Sequence, residues 1–150
     1  MILNTSLYLD SNLLSEFEKS SFEKVLNSEE ITFPSNYNGC IKLDFCTATK
    51  LFCVGFYYSQ SSSFHDMTSF ADYHNESTDL IINEISIFFV NIFEKNLFIS
   101  ICKQEEIDYF HFNDSISLKK ISSLSFLKLG FYYGQSTPYN DLSHLTIQRL

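Results

Sequence analysis

A heptapeptide that occurs twice constrains this chain more than any other feature of its 150 residues. The segment Gly55–Ser61 reads GFYYSQS, and Gly130–Ser136 reads GFYYGQS, 75 positions later. An internal repeat fixes an architecture that all later assignments must satisfy. We therefore interpret the chain first as one unit written twice.

The similarity continues on both sides of the heptapeptide. Residues 41–43 read IKL and residues 116–118 read ISL, at the same offset. After a slip of one residue the offset becomes 76, and residues 17–19 and 93–95 both read FEK. Because the matches stay in order with a single slip, duplication explains them better than chance recurrence in a chain rich in Phe and Ser. The sequence predicts a single domain made of two repeats.

Hydrophobic periodicity predicts one helix and three strands in each repeat. The first repeat, about residues 1–75, is expected to hold a helix over Asp10–Asn27 and strands at Glu29–Pro34, Ile41–Phe45 and Leu51–Ser59. The second repeat, about residues 76–150, is expected to hold a helix over Leu80–Cys102, strands at Ile107–Phe112, Ile116–Ile121 and Ser125–Tyr133, and a short helical tail. The predicted fold class is α+β, an internal tandem duplication of an α-β-β-β unit of about 75 residues with a pseudo-two-fold arrangement. The strands would form one sheet or two.

The heptapeptides would place Gly55 and Gly130 inside strands. A glycine within a strand marks a bulge or a place where another group approaches the backbone closely. We expect a packed helix or an aromatic ring to make that approach, in preference to a ligand.

The charge balance excludes several classes of partner. The net charge is -8, and the ten basic residues include a single arginine, Arg149. Nucleic-acid binding needs clustered Lys and Arg to neutralise phosphates, and anionic membranes make the same demand. An acidic surface instead steers basic proteins, although a charge of this size also serves solubility alone.

The sequence contains no recognisable catalytic or metal-binding motif. The four cysteines form no CxxC pair and lie at no metal-ligand spacing from the four histidines. The sequence has no G-x-S-x-G elbow, and its four glycines form no phosphate-binding loop. We therefore predict no enzyme activity, no metal and no cofactor. Because the first residues lack the pattern of a signal peptide, we expect a cytoplasmic protein with reduced thiols.

A small, acidic, aromatic-rich chain without catalytic motifs resembles the immunity proteins of bacterial toxin systems, including those that neutralise contact-dependent growth-inhibition toxins. The resemblance lies in size, in charge and in a composition rich in Ile, Asn, Phe, Ser and Lys but poor in Arg. No motif contributes to it, so it assigns no functional residue. It implies stoichiometric binding to a cognate basic toxin domain, commonly a nuclease.

Acidic residues near aromatic ones are the expected partner-binding positions. They lie where each predicted helix gives way to a strand: Glu29, Glu30, Glu105, Glu106 and Asp108. The glutamate pairs are poor acid-base catalysts, because neighbours in sequence usually point apart into solvent. Two alternatives remain open: a small-molecule-binding or enzymatic domain with a site between the repeats, and a structural subunit of a larger complex.

Overall fold

The computed structural model describes residues 7–10, 14–31, 40–43, 47–62 and 81–149. These residues form an α+β fold with four helices, a four-stranded antiparallel sheet and a two-stranded antiparallel sheet. The elements in chain order are β1 (Leu7–Asp10), α1 (Glu16–Ser28), β2 (Cys40–Leu43), α2 (Ala48–Ser61), β3 (Ile81–Phe89), α3 (Ile92–Gln104), β4 (Phe110–His111), β5 (Ser115–Ser122), α4 (Ser123–Ser136) and β6 (Leu145–Arg149).

The four-stranded sheet has the order β4-β5-β3-β6, and β1 pairs with β2 in the smaller sheet. On β3, Ile87 lies opposite Ile116 of β5 on one side and Ile147 of β6 on the other. Ile85 and Ile87 are fully buried, as alternation on a strand with one covered face requires. Helices α3 and α4 contact this sheet, so the core lies between the sheet and the helices.

Both heptapeptides lie in helices, and the predicted strands Leu51–Ser59 and Ser125–Tyr133 are wrong. Helix α2 begins after Thr47, whose hydroxyl accepts a hydrogen bond from Lys50 N at 3.1 Å. Helix α4 begins after Ser122, which accepts from Ser125 N at 3.1 Å. Most residues of both helices are buried, so the polar stripe that marks a helix is missing, and the aromatic run reads like a strand.

The predicted helix Leu80–Cys102 is wrong in its first half. Residues Ile81–Phe89 form strand β3, and helix α3 begins only at Ile92. The side chain of Asn91 caps α3 by accepting from Phe93 N at 2.8 Å. The apolar residues keep a three-and-four spacing on both sides of this cap, and that spacing predicted one continuous helix. The Ile-rich composition of the segment before the cap correctly favours a strand.

Further corrections concern the ends of the predicted elements. Only two residues of the predicted strand Ile107–Phe112 form a strand, β4. The C-terminal tail of the second repeat, which was predicted to be helical, contains strand β6. At the predicted strand Glu29–Pro34, residues 29–31 form the turn that ends α1, and the rest lies outside the described residues. Strand β5 confirms the predicted strand Ile116–Ile121, and β2 confirms residues 41–43 of the predicted strand Ile41–Phe45, whose last two residues lie outside the described ranges. The described order is β-α-β-α in the first half and β-α-β-β-α-β in the second, so the α-β-β-β unit is wrong.

Helices α2 and α4 cross with their backbones in contact. A Cβ atom added to Gly55 would lie 2.1 Å from the carbonyl oxygen of Leu127. One added to Gly130 would lie 2.3 Å from the carbonyl oxygen of Phe52. Each glycine therefore faces the residue three positions before the other glycine. The expectation of a close approach by a packed helix is confirmed, on helices in place of strands.

Candidate functional site

Two glutamate pairs end α1 and α3 in the same backbone conformation. Glu29 caps α1 with φ -89° and ψ 6°, and Glu105 caps α3 with φ -91° and ψ 5°. The residues that follow, Glu30 and Glu106, both have φ 57°. We call these two segments the acidic turns. The prediction placed both pairs where a helix gives way to a strand, and the structure places each pair in the turn that ends a helix.

The hydrogen bonds of each acidic turn are those of a Schellman motif. Glu30 N donates to Asn27 O at 3.1 Å, and Ile31 N donates to Leu26 O at 2.9 Å. The corresponding bonds at the end of α3 run from Glu106 N to Lys103 O and from Ile107 N to Cys102 O. Since Ile31 and Leu26 are both buried, an apolar contact reinforces the first turn. The side chains of Glu30 and Glu106 remain exposed.

Glutamate is a poor choice for both positions. A left-handed residue with a side chain costs about 1–2 kcal/mol relative to glycine, which is usual at this position. A carboxylate at a helix C-terminus also meets the negative end of the helix dipole, which disfavours it further. Residues held in unfavourable conformations cluster at functional sites. Glu30 and Glu106 therefore stand out among the predicted partner-binding residues.

The other predicted site residues divide between two environments. Glu29 is half-buried, and this burial raises its pKa. The charge of Lys50 lowers that pKa, and the charge of Glu30 raises it further. Glu105 is half-buried as well, whereas Asp108 is exposed. Asp108 lines a shallow depression of about 400 Å³ with Glu84, Lys119 and Lys120.

An apolar patch lies at the start of α3. Val90, Ile92 and Phe93 expose 84%, 55% and 77% of their surface. Phe112, 55% exposed, is held beside α3 because the buried amine of Lys95 donates to the carbonyl oxygens of Phe112 and Asn113. These four exposed residues form what we call the apolar patch. Exposed apolar surface of this kind marks protein interaction sites.

Two buried carboxylates, those of Glu18 and Glu94, were not predicted from the sequence. Glu18 is 1% exposed and accepts hydrogen bonds from Tyr58 Oη at 2.6 Å and from Ser62 Oγ at 2.7 Å. The second cluster repeats the arrangement on α3 and α4: Glu94 accepts from Tyr133 Oη at 2.8 Å and from Thr137 Oγ1 at 2.5 Å. The two FEK segments contain these glutamates, and the two heptapeptides contain the tyrosines. No local pattern in the sequence indicates that each glutamate contacts a tyrosine.

His144 extends the second cluster. Its Nε2 lies 2.5 Å from Tyr133 Oη and 3.9 Å from Glu94 Oε1, and its ring stacks on Tyr139 at 4.0 Å between centroids. Burial lowers the pKa of His144, although the charges of Glu94 and Asp141 oppose that shift. Because His144, Tyr133 and Glu94 are all buried, this cluster is part of the core.

A cleft of about 510 Å³ lies between α1 and α2. The α1 side consists of residues on one face of the helix, and the α2 side contributes two residues one turn apart. The lining residues are Phe17, Ser21, Lys24, Val25, Ser28, Glu29, Tyr57 and Ser61. We call it the α1–α2 cleft. One of the predicted partner-binding residues, Glu29, closes the end of it that lies at the C-terminus of α1.

Comparison with known proteins gives no match to any family model, curated protein or solved structure. Across the described ranges, no three His, Cys, Asp or Glu side chains are grouped to hold a metal ion. No helix in the described part of the chain is long and apolar enough to cross a membrane.

Proposed function

We propose that this protein is an immunity protein, which neutralises a cognate basic toxin domain, a nuclease, by stoichiometric binding. The observation that supports the proposal best is the pair of acidic turns. Both place exposed glutamates where glycine would stabilise the fold more and where the helix dipole disfavours negative charge. Acidic residues retained against stability point to a role in binding.

A nuclease would supply the complementary surface, because it binds the phosphates of its nucleic-acid substrate in a basic groove. The negative field at a helix C-terminus adds to the glutamate charges, so each acidic turn would steer such a groove by long-range attraction. The apolar patch would supply buried contact area once the encounter has occurred. Charge at the rim governs the association rate, and apolar anchors govern the lifetime of the complex.

We also propose that the two halves are diverged copies of one β-α-β-α unit related by a pseudo-two-fold axis, with the two-residue strand β4 added in the second half. In support, α1 and α3 have 13 residues each, and α2 and α4 have 14. The caps that end these helices have matching dihedral angles, and the glycine contacts between α2 and α4 are reciprocal. Reciprocal contacts are the mark of a two-fold interface.

The proposal is tested with the toxin domain encoded beside this protein. Glu105→Lys with Glu106→Lys should slow association and flatten its salt dependence while the fold stays intact. A matched control, Glu16→Lys with Glu23→Lys, makes the same change in net charge away from the acidic turns. Equal rates and salt slopes for the two variants would remove the acidic turns from the interface. A wild-type protein that binds no linked toxin would overturn the immunity proposal.

A further inference from the structure

The α1–α2 cleft has the dimensions and walls of a binding site. Its volume of about 510 Å³ falls in the range of ligand pockets, roughly 300–1,000 Å³. Phe17, Val25 and Tyr57 provide apolar walls, and Phe17 is 63% exposed although it is aromatic. Serine hydroxyls from both helices line the same space. The cleft thus combines unburied apolar surface with a few polar groups.

The charges around the cleft favour a cation. Helices α1 and α2 run antiparallel, since Tyr58 near the end of α2 bonds Glu18 near the start of α1 and Lys50 near the start of α2 lies close enough to Glu29 at the end of α1 to lower its pKa. The C-terminus of α1 therefore lies at one end of the cleft, with Glu29, and the C-terminus of α2 lies at the other, with Ser61. Both helix ends present negative partial charge. Lys24 also lines the cleft, but it is exposed, and its long side chain can turn to solvent.

Glu29 is the group that gains most from such a cation. It is half-buried at one end of the cleft, and desolvation raises its pKa more than Lys50 lowers it. A cation that displaces the remaining water beside it would restore the lost solvation. Aliphatic or aromatic groups next to that cation would cover Phe17 and Tyr57.

We infer that the α1–α2 cleft receives a cationic, amphipathic segment of a partner protein, with a lysine or arginine against Glu29 and apolar side chains against Phe17 and Tyr57. This inference rests on the proposed function, which makes the toxin the partner. The corresponding surface of the second half differs in sequence, because the larger side chain of Leu97 on α3 stands where α1 has Ser21, and Leu97 packs against the core. The first half therefore holds the site.

The test uses the full-length protein and a synthetic amphipathic peptide of leucine and lysine, followed by amide chemical shifts. The expected result is saturable binding with shifts concentrated at Ser21, Val25, Ser28, Tyr57 and Ser61. A peptide with glutamate in place of lysine should not bind, and neither should a lysine peptide without leucine.

Matched variants locate the contact. Phe17→Ala and Glu29→Gln should each weaken binding about fivefold, the effect of a partly exposed contact. Phe110→Ala and Glu84→Gln, the same changes at exposed positions of the second half outside the acidic turns and the apolar patch, should alter it by less than about twofold. Circular dichroism checks that each variant folds.

Absent binding, shifts spread over the acidic surface, or equal effects in both halves would overturn the inference. Because the peptide replaces the toxin, these outcomes are separate from a failure of the immunity proposal. A chain that binds the peptide in the cleft but no toxin would retain the inference about cleft chemistry and lose the proposed function.

Discussion

Gly130→Ala tests the helix crossing at the centre of the fold. The added Cβ would lie 2.3 Å from the oxygen, 3.1 Å from the carbonyl carbon and 3.2 Å from the Cα of Phe52. All three are backbone atoms, so no side-chain rotation relieves the overlap. Helices α2 and α4 must separate by on the order of 1 Å, and the close packing around them resists that movement.

The expected loss of stability follows from two opposing effects. Overpacking costs about 1–3 kcal/mol, and a clash between backbones falls at the upper end of that range. Alanine in place of glycine recovers about 1 kcal/mol of helix propensity. The free energy of unfolding should therefore fall by about 2 kcal/mol, seen as a lower urea midpoint at unchanged slope. Asn96→Ala, an exposed site on α3, should change it by less than about 0.5 kcal/mol.

The double variant with Gly55→Ala sharpens the test. Because one separation of the helices relieves both clashes, the two losses should sum to more than the loss in the double variant. The coupling should exceed about 0.5 kcal/mol. A neutral or stabilised Gly130→Ala would refute the tight crossing, and strictly additive losses would show that the two contacts are independent.

Three further predictions concern other parts of the structure. Glu106→Gly should raise the free energy of unfolding in urea by about 1 kcal/mol, since glycine relieves the left-handed strain, while Glu106→Ala should not match it. Gly134→Ser should destabilise, because its Cβ would lie 2.1 Å from Ser59 Oγ and 2.6 Å from the carbonyl oxygen of Phe56. Adding Ser59→Gly removes only the first of these contacts, so it should recover part of the loss, and plain additivity of the two changes would contradict a direct contact between positions 59 and 134. Burial lowers the pKa of His144 below the unfolded value of 6.5, so its contribution is complete above that pH and declines as pH falls below it. Urea midpoints at about pH 7 and about pH 5 should therefore differ less in His144→Gln than in wild type.

Elements with one wet face could be predicted from the sequence. The alternation at Ile41–Leu43 and Ile116–Leu118 predicted strands where β2 and β5 are observed. The polar residues of α1 predicted a helix, and the observed helix begins a few residues later than predicted. In β5 and α1 the periodicity reports which side faces water. This information survives in a single sequence because the exposed positions remain polar.

The buried elements could not be predicted in this way. Helices α2 and α4 are covered on most sides, so their sequences hold no polar stripe, and aromatic propensity favoured strands. The hydroxyl caps at Thr47 and Ser122 were the better signal. Tertiary packing against the glycines decided the outcome, and that packing joins residues far apart in the chain.

The candidate site was partly predictable. The sequence predicts Glu29 and Glu105 at positions where a helix gives way to a strand, and the structure places both at helix ends. Their left-handed neighbours were not foreseen, since glycine normally signals that conformation. The hydrogen bonds that Glu18 and Glu94 accept from their tyrosine partners join residues 40 and 39 positions apart in the chain. No local sequence pattern reveals such contacts.

The most direct test of the central claim is a titration of the linked toxin domain with this protein, read by toxin activity and by the mass of the complex. Immunity by stoichiometric binding predicts a stable complex, toxin activity that falls linearly to zero at a fixed molar ratio, and a slower approach to inhibition at high salt. Full toxin activity in the presence of excess protein, with no complex formed, would contradict it.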